Sequence, residues 1–348
     1  MSDKHLVFLV HGIGLHKEGW SADYQKQLVD LAGKYSGFAG KTLLDDVEFH
    51  EVTYDKIFDD QIQSWENNFD NLITDSPPGS EQSVREALEW MDDMSAQKDN
   101  FLWTHVADAV LWKISAYLRN HVITRVARIV AEGIDKKISE SAFSPKYSII
   151  GHSMGTSVVQ QSLAALASGA WSDGSFNAFN AGDVRFRSIH MIANVGHYFE
   201  PDSDQIYRGI VRPGIIDGVH GYCRKYFNYN NRFDPICWAG RFSPGWTADD
   251  GFHDIPVSHI HGRDVHDISH YLANPKVHIP LLRSISSVRR IGSQEELDAI
   301  ADFKQIGDEV EGEVSELKAK LDELKGSINE FRDLGSWIKG WSAYGQLK

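Results

Sequence analysis

The stretch Gly151-His152-Ser153-Met154-Gly155 decides the reading of this chain. It follows Lys146-Tyr147-Ser148-Ile149-Ile150, which reads as a short strand. It precedes Thr156 to Ala167, where Val158, Val159, Leu163 and Leu166 recur at helical spacing. A G-x-S-x-G between a strand and a helix is a sharp turn that holds a serine hydroxyl above the edge of a sheet. The flanking glycines are expected because a side chain there would collide with the strand or helix pressed against the turn. Ser153 is the candidate nucleophile; an ordinary glycine-flanked β–α turn is the alternative.

A second segment supports the first. His5-Leu6-Val7-Phe8-Leu9-Val10 reads as a buried strand and runs directly into His11-Gly12-Ile13-Gly14. Acyl transfer through serine needs donors aimed at the oxygen that becomes negative, and backbone N–H groups are fixed donors. The expected oxyanion donors are the N–H groups of Ile13 and Met154. His11 is expected to tie down the loop rather than to move protons.

Strand-like runs at 5–10, 47–53, 147–150, 187–195 and 224–229, with a further candidate at 257–261, alternate with helical ones. That pattern implies an α/β fold with a mostly parallel sheet flanked by helices. Between the second and third strands, residues 56–118 form an expected helical insertion rich in tryptophan (Trp65, Trp90, Trp103, Trp112), either a lid over the site or an added layer of core. Residues 120–139 read as the sheet-packing helix before the nucleophile strand. The chain divides into a main domain over 1–292 and a C-terminal helical extension over 293–348. There Val310, Val314, Leu317, Leu321, Leu324, Ile328 and Phe331 alternate in steps of four and three, an amphipathic heptad seam. The seam suits a coiled coil with a second copy, with a helical hairpin folded back on the domain as the alternative.

Composition narrows the function classes. The 348 residues carry a net charge of −14, which opposes binding to nucleic acid. The basic run Arg283 to Arg290 is read as a solvated helix face or end. Cys223 and Cys237 have no spacing that suggests a zinc site, and no cofactor is expected. No apolar run approaches the ~18 residues of a membrane span, and no secretory signal pattern opens the sequence. The expected location is cytoplasmic.

Serine needs an imidazole to take its proton, and the imidazole needs a carboxylate. Asp234 follows the strand-like run Arg224–Asn230 and precedes Pro235, placing a carboxylate at the C-terminal end of a strand; Asp202 and Asp204 are the runners-up. For the base, Asp264 to Leu272 offers His266, in a loop before a helix, with His270 at the start of that helix as the alternative. His152, His197, His253, His259, His261 and His278 are read as structural or surface residues.

The segments His11–Gly14, Gly151–Gly155, Asn228–Asn230 leading to Asp234-Pro235, and His266 with Tyr271-Leu272 and Asn274-Pro275 resemble the α/β-hydrolase superfamily, in its lipase- and esterase-like members. The resemblance covers roughly residues 5–285. It implies a Ser153–Asp234–His266 triad with Ile13 and Met154 as oxyanion donors, in a serine hydrolase that cleaves carboxylic esters through an acyl-enzyme. The substrate would be a small-molecule or lipid acyl ester. Thioesterase, phospholipase or amidase activity, or a non-catalytic interaction protein on this scaffold, are the alternatives. The early helical insertion and the C-terminal heptads depart from the family pattern.

Overall fold

The computed structural model describes residues 4–12, 16–54, 56–57, 112, 115–169, 176, 178–199, 203–216, 218–234, 237, 242–261, 264–286 and 291–309. The expected insertion therefore lies almost wholly outside the described residues, as does the heptad seam from Val310 onward.

β1 (His5–Val10) is buried at every position, because it lies inside a sheet covered on both faces. Its side chains alternate between the two faces. Leu6, Phe8 and Val10 enter one apolar core and Val7 and Leu9 the other. β2 (Val47–Val52), β3 (Tyr147–His152), β4 (Ser188–Ile192), β7 (Tyr226–Asn231) and β8 (Phe252–Val257) complete a six-stranded sheet in the order β2-β1-β3-β4-β7-β8, every adjacent pair parallel. A small antiparallel pair, β5 (Ile215–Ile216) and β6 (Val219–His220), stands apart from it.

Helices cover both faces. α1 (Ala22–Ala32), α6 (Ile268–Ala273) and α7 (Pro275–Ile285) share the core that holds Val7 and Leu9. α2 (Ala116–Glu140) and α3 (Met154–Ala167) pack on the face that holds Phe8 and Val10. Two short helices, α4 (Gly196–Phe199) and α5 (Ser203–Arg208), follow β4. α8 (Ser293–Glu309) opens the C-terminal extension, and its first turns lie against the sheet domain. Arg283 pairs with Glu296 at 2.7 Å, Glu295 accepts from the Ser36 N–H at 2.7 Å, and the Phe303 ring stacks on His261 at 4.0 Å.

The chain leaves β1 toward β2 on one side and returns to β3 on the other. The reversal puts a topological switch point between β1 and β3. In open α/β sheets, ligands occupy the crevice at the carboxyl ends of the strands at such a point. Both Gly12 and Ser153 sit there, immediately after their strands.

The last strand differs from the sequence reading. The sheet uses Phe252–Val257 rather than 257–261, so Pro256 lies inside a strand. Proline removes a ladder donor, and β8 tolerates it because it lies at the sheet edge. Among the described residues, no helix is long and apolar enough to cross a membrane.

Candidate active site

Ser153 occupies the turn between β3 and α3 with φ 56° and ψ −129°, a left-handed conformation for a residue with a side chain. Such a conformation costs of order 1–3 kcal/mol and persists only where the surroundings enforce it. The enforcing bonds are visible. The Ser153 N–H donates to the Ile192 carbonyl at 2.9 Å. Its own carbonyl accepts from the Thr156 N–H at 2.9 Å and the Thr156 hydroxyl at 2.6 Å.

Two glycines make the turn compatible with β1. A Cβ on Gly155 would fall 2.2 Å from the His11 carbonyl oxygen, so α3 can start against the end of β1 only with glycine there. A Cβ on Gly12 would fall 2.8 Å from the Ser153 Cβ. The backbone leaving β1 thus passes directly beside the serine.

The imidazole of His266 also meets the serine. Its Nε2 lies 2.9 Å from the Ser153 Oγ, and its Nδ1 lies 2.8 Å from Oδ2 of Asp234. A carboxylate can only accept, so Nδ1 carries the proton and Nε2 is left to accept from the serine hydroxyl. Ser153 is 3% exposed, His266 5% and Asp234 0%, so these bonds are largely shielded from water.

Local structure fixes each partner. Asp234 ends a turn closed by its N–H on the Asn231 carbonyl, at the C-terminal end of β7. His266 precedes Asp267, which caps α6 by accepting from the Ser269 N–H at 2.7 Å. The cap keeps His266 out of the helix, where its ring can reach across the sheet edge.

The other expected participants fall as follows. His270, the alternative base, does not reach the serine. Its Nε2 accepts from the His261 N–H at 3.1 Å, and its ring stacks on His259 at 4.3 Å. Burial pushes His270 down to about 4. Met154 is the first residue of α3, where backbone N–H groups have no partner within the helix and the helix dipole favours negative charge. Ile13 lies outside the described residues, as does Asp202; the side chain of Asp204 does too. His11 donates from Nδ1 to the Gly12 carbonyl at 2.7 Å and is sandwiched between His16 and Tyr54, each ring at 4.2 Å. Burial holds His11 well below the ordinary histidine range, which keeps it neutral in this role.

Two residues at the site escape the sequence reading. His152, which that reading leaves among the structural residues, donates from Nε2 to the backbone carbonyl of His266 at 2.8 Å, its ring 4.8 Å from the His266 ring. Burial, followed by the nearness of His266, pushes His152 down to about 4. It clasps the loop that carries the imidazole. Tyr271 donates its hydroxyl to Asp234 Oδ2 at 2.7 Å. The sequence signals for these two are adjacency to the serine for His152 and, for Tyr271, a place five residues past His266 within the segment that carries the resemblance.

In chemical terms the site is a hydroxyl, an imidazole and a carboxylate in series, ending at a helix N-terminus. That is the equipment for activating an alcohol as a nucleophile and stabilising an oxyanion. No family model, curated protein or solved structure matches the chain.

Proposed function

We propose that this chain is a serine hydrolase of the α/β-hydrolase type that cleaves carboxylic esters. The observation that carries the reading is the unbroken Ser153–His266–Asp234 series, 2.9 Å and 2.8 Å, with its serine in a strained turn at the switch point of the sheet. A structural hydroxyl has no need of that backbone conformation.

The reaction follows from the donors and acceptors. Ser153 Oγ attacks the ester carbonyl carbon as its proton passes to His266 Nε2. The carbonyl π pair moves onto oxygen, which faces the Met154 N–H and the backbone that follows β1. Asp234 holds the Nδ1 proton and offsets the charge of the imidazolium. Collapse of the tetrahedral intermediate breaks the carbon–alkoxide bond, and His266 gives its proton to the departing alcohol. Water then repeats the sequence on the acyl-enzyme, with His266 again as base, releasing the acid and restoring Ser153.

The test uses a fluorophosphonate probe and p-nitrophenyl esters. Wild-type protein is expected to be labelled at one site and to release p-nitrophenol. Ser153→Ala is expected to lose labelling, and turnover should fall on the order of 10⁴-fold or more. Wild-type protein that is folded yet neither labelled nor active sinks the proposal.

A further inference from the structure

The carboxylate of Asp234 has a second donor on the oxygen that serves the imidazole. Tyr271 lies on α6, fully buried, and its hydroxyl sits 2.7 Å from Asp234 Oδ2, the same atom that His266 Nδ1 approaches at 2.8 Å. The direction of the phenol proton is fixed by its neighbours. The Asn231 N–H donates into the Tyr271 oxygen at 3.1 Å, so the single O–H proton is directed to the carboxylate. The Cys237 sulfur lies 3.4 Å from the same phenol oxygen, and its thiol donates to Asp234 Oδ2 at 3.8 Å, a longer third contact on the shared carboxylate oxygen. Burial, reinforced by the charge of Asp234, holds the phenol well above its ordinary range, so it stays a donor throughout the working pH range.

We infer that Tyr271 is a positioning residue that sets the proton affinity of His266 through the shared Asp234 oxygen. This rests on the hydrolase reading of the site. The physical argument is one of divided charge. A carboxylate oxygen that already accepts a phenol proton offers less electron density to the imidazolium beside it. Tyr271 therefore lowers the proton affinity of His266, easing delivery of the proton to the leaving alcohol. Removing the phenol proton frees the carboxylate charge for the imidazolium, and His266 then holds its proton to higher pH. A donor on a charged acceptor is also among the stronger hydrogen bonds, so it fixes where the carboxylate points. His152 bonds the backbone carbonyl of His266 rather than its ring nitrogens, but its ring lies 4.8 Å from the His266 ring and feels the charge of both His266 and Asp234; it is the same in all three proteins compared.

The experiment compares wild-type full-length protein with Tyr271→Phe and with a protein carrying 3-fluorotyrosine at position 271. The fluorinated ring keeps the shape of tyrosine and has a more acidic hydroxyl, hence a stronger donor. The midpoint of the His266 ring is read by ¹H–¹⁵N NMR titration, its signals assigned by their loss in His266→Gln. Tyr271→Phe is expected to raise the midpoint by about 0.5–1 unit, and the fluorinated protein to lower it. The acid limb of kcat/KM on a short ester should move with the midpoint in each case. Packing alone has no reason to give opposite signs. If Tyr271→Phe does not fold, the fluorinated protein decides by itself. Midpoints that stay put, or that move in the same direction for both, overturn the inference. Failure of the wild type to label with fluorophosphonate sinks the hydrolase reading instead, and the NMR midpoint still decides the role of Tyr271.

Discussion

Among the described residues, two buried series of hydroxyls and imidazoles can be compared, and on the proposed reading only one of them carries chemistry. The first is Ser153–His266–Asp234–Tyr271 at the carboxyl edge of the sheet. The second runs through the sheet itself. His5 on β1 bonds Ser148 on β3 at 2.9 Å, Ser148 bonds Ser188 on β4 at 2.7 Å, and His190 meets Ser188 at 3.1 Å, Ser284 at 2.7 Å and Tyr229 at 3.0 Å. Atom for atom the second chain also holds serine against histidine. It differs in three respects. Ser188 and His190 lie inside β4 rather than in a left-handed turn. Both are fully buried. The hydrogen-bond partners of His190 are hydroxyls, with no carboxylate among the described residues, and burial drives it down to about 3. An imidazole with so little proton affinity cannot serve as a base near neutrality. On the proposed reading, serine beside histidine is insufficient; the carboxylate and the strained, edge-placed turn would separate a reactive pair from a structural one.

Three perturbations probe that contrast. The largest effect is expected for Asp234→Asn, which keeps the shape of the side chain but turns one carboxylate acceptor into an amide donor, so the charge and the His266 tautomer are no longer held. Ester turnover should fall on the order of 10⁴-fold, with a fold unchanged by circular dichroism. A loss under tenfold would erase the distinction between the two chains.

The second perturbation acts on stability. His5 and His190 are both pushed to about 3 in the folded protein from an ordinary 6.5, burial being the main cause in each. Between pH 6.5 and 3 the unfolded chain therefore binds protons that the folded chain does not. Stability is full above pH 6.5 and is lost as pH falls toward 3, by up to about 1.4 kcal/mol per pH unit for each histidine. Urea midpoints measured from pH 7 to pH 4 should decline accordingly. His190→Phe should cost about 1–3 kcal/mol at pH 7, since three buried hydroxyls lose a partner. It should also flatten the acid decline by about one proton, and leave turnover per folded molecule untouched. An unchanged slope would mean that His190 is not the neutral buried group described.

The smallest expected effect is a gain. Ser153→Gly relieves the left-handed backbone at the turn and removes the nucleophile, so the inactive variant should be more stable by up to about 1 kcal/mol in urea unfolding. A less stable variant would indicate that the turn stores no strain, weakening the contrast with Ser188.

Much of the fold is legible along the chain. The expected runs at 5–10, 47–53 and 147–150 correspond to β1, β2 and β3. β1 and β3 are short and largely apolar, whereas β2 alternates Val47, Phe49 and Glu51 with Glu48, His50 and Val52 and is only partly buried, as an edge strand can be. The reading of β8 fails where Pro256 argues against a strand and the edge position permits one. The glycines around Ser153 are legible for a local reason, since the steric demand of a strand–turn–helix involves residues only a few positions apart. The partners of Ser153 are a different matter. The serine and His266 are 113 positions apart in sequence, and Asp234 and Tyr271 37. Only its place in the loop before a helix separates His266 from His270 among sixteen histidines, and no pattern marks Tyr271 as a donor to the carboxylate.

What the amino-acid order determines by itself, then, is the set of short-range constraints: alternation of strand and helix, the continuous apolar run of β1, and a turn whose close approaches need its flanking glycines. The tertiary structure decides which distant side chains share an edge. Sheet order carries β1, β3 and β7 to one rim, and the Asp267 cap turns His266 rather than His270 toward the serine. The reason is physical. Backbone sterics act over a few bonds and leave a mark in sequence, whereas the pairing of side chains across the sheet depends on how the whole chain closes its cores.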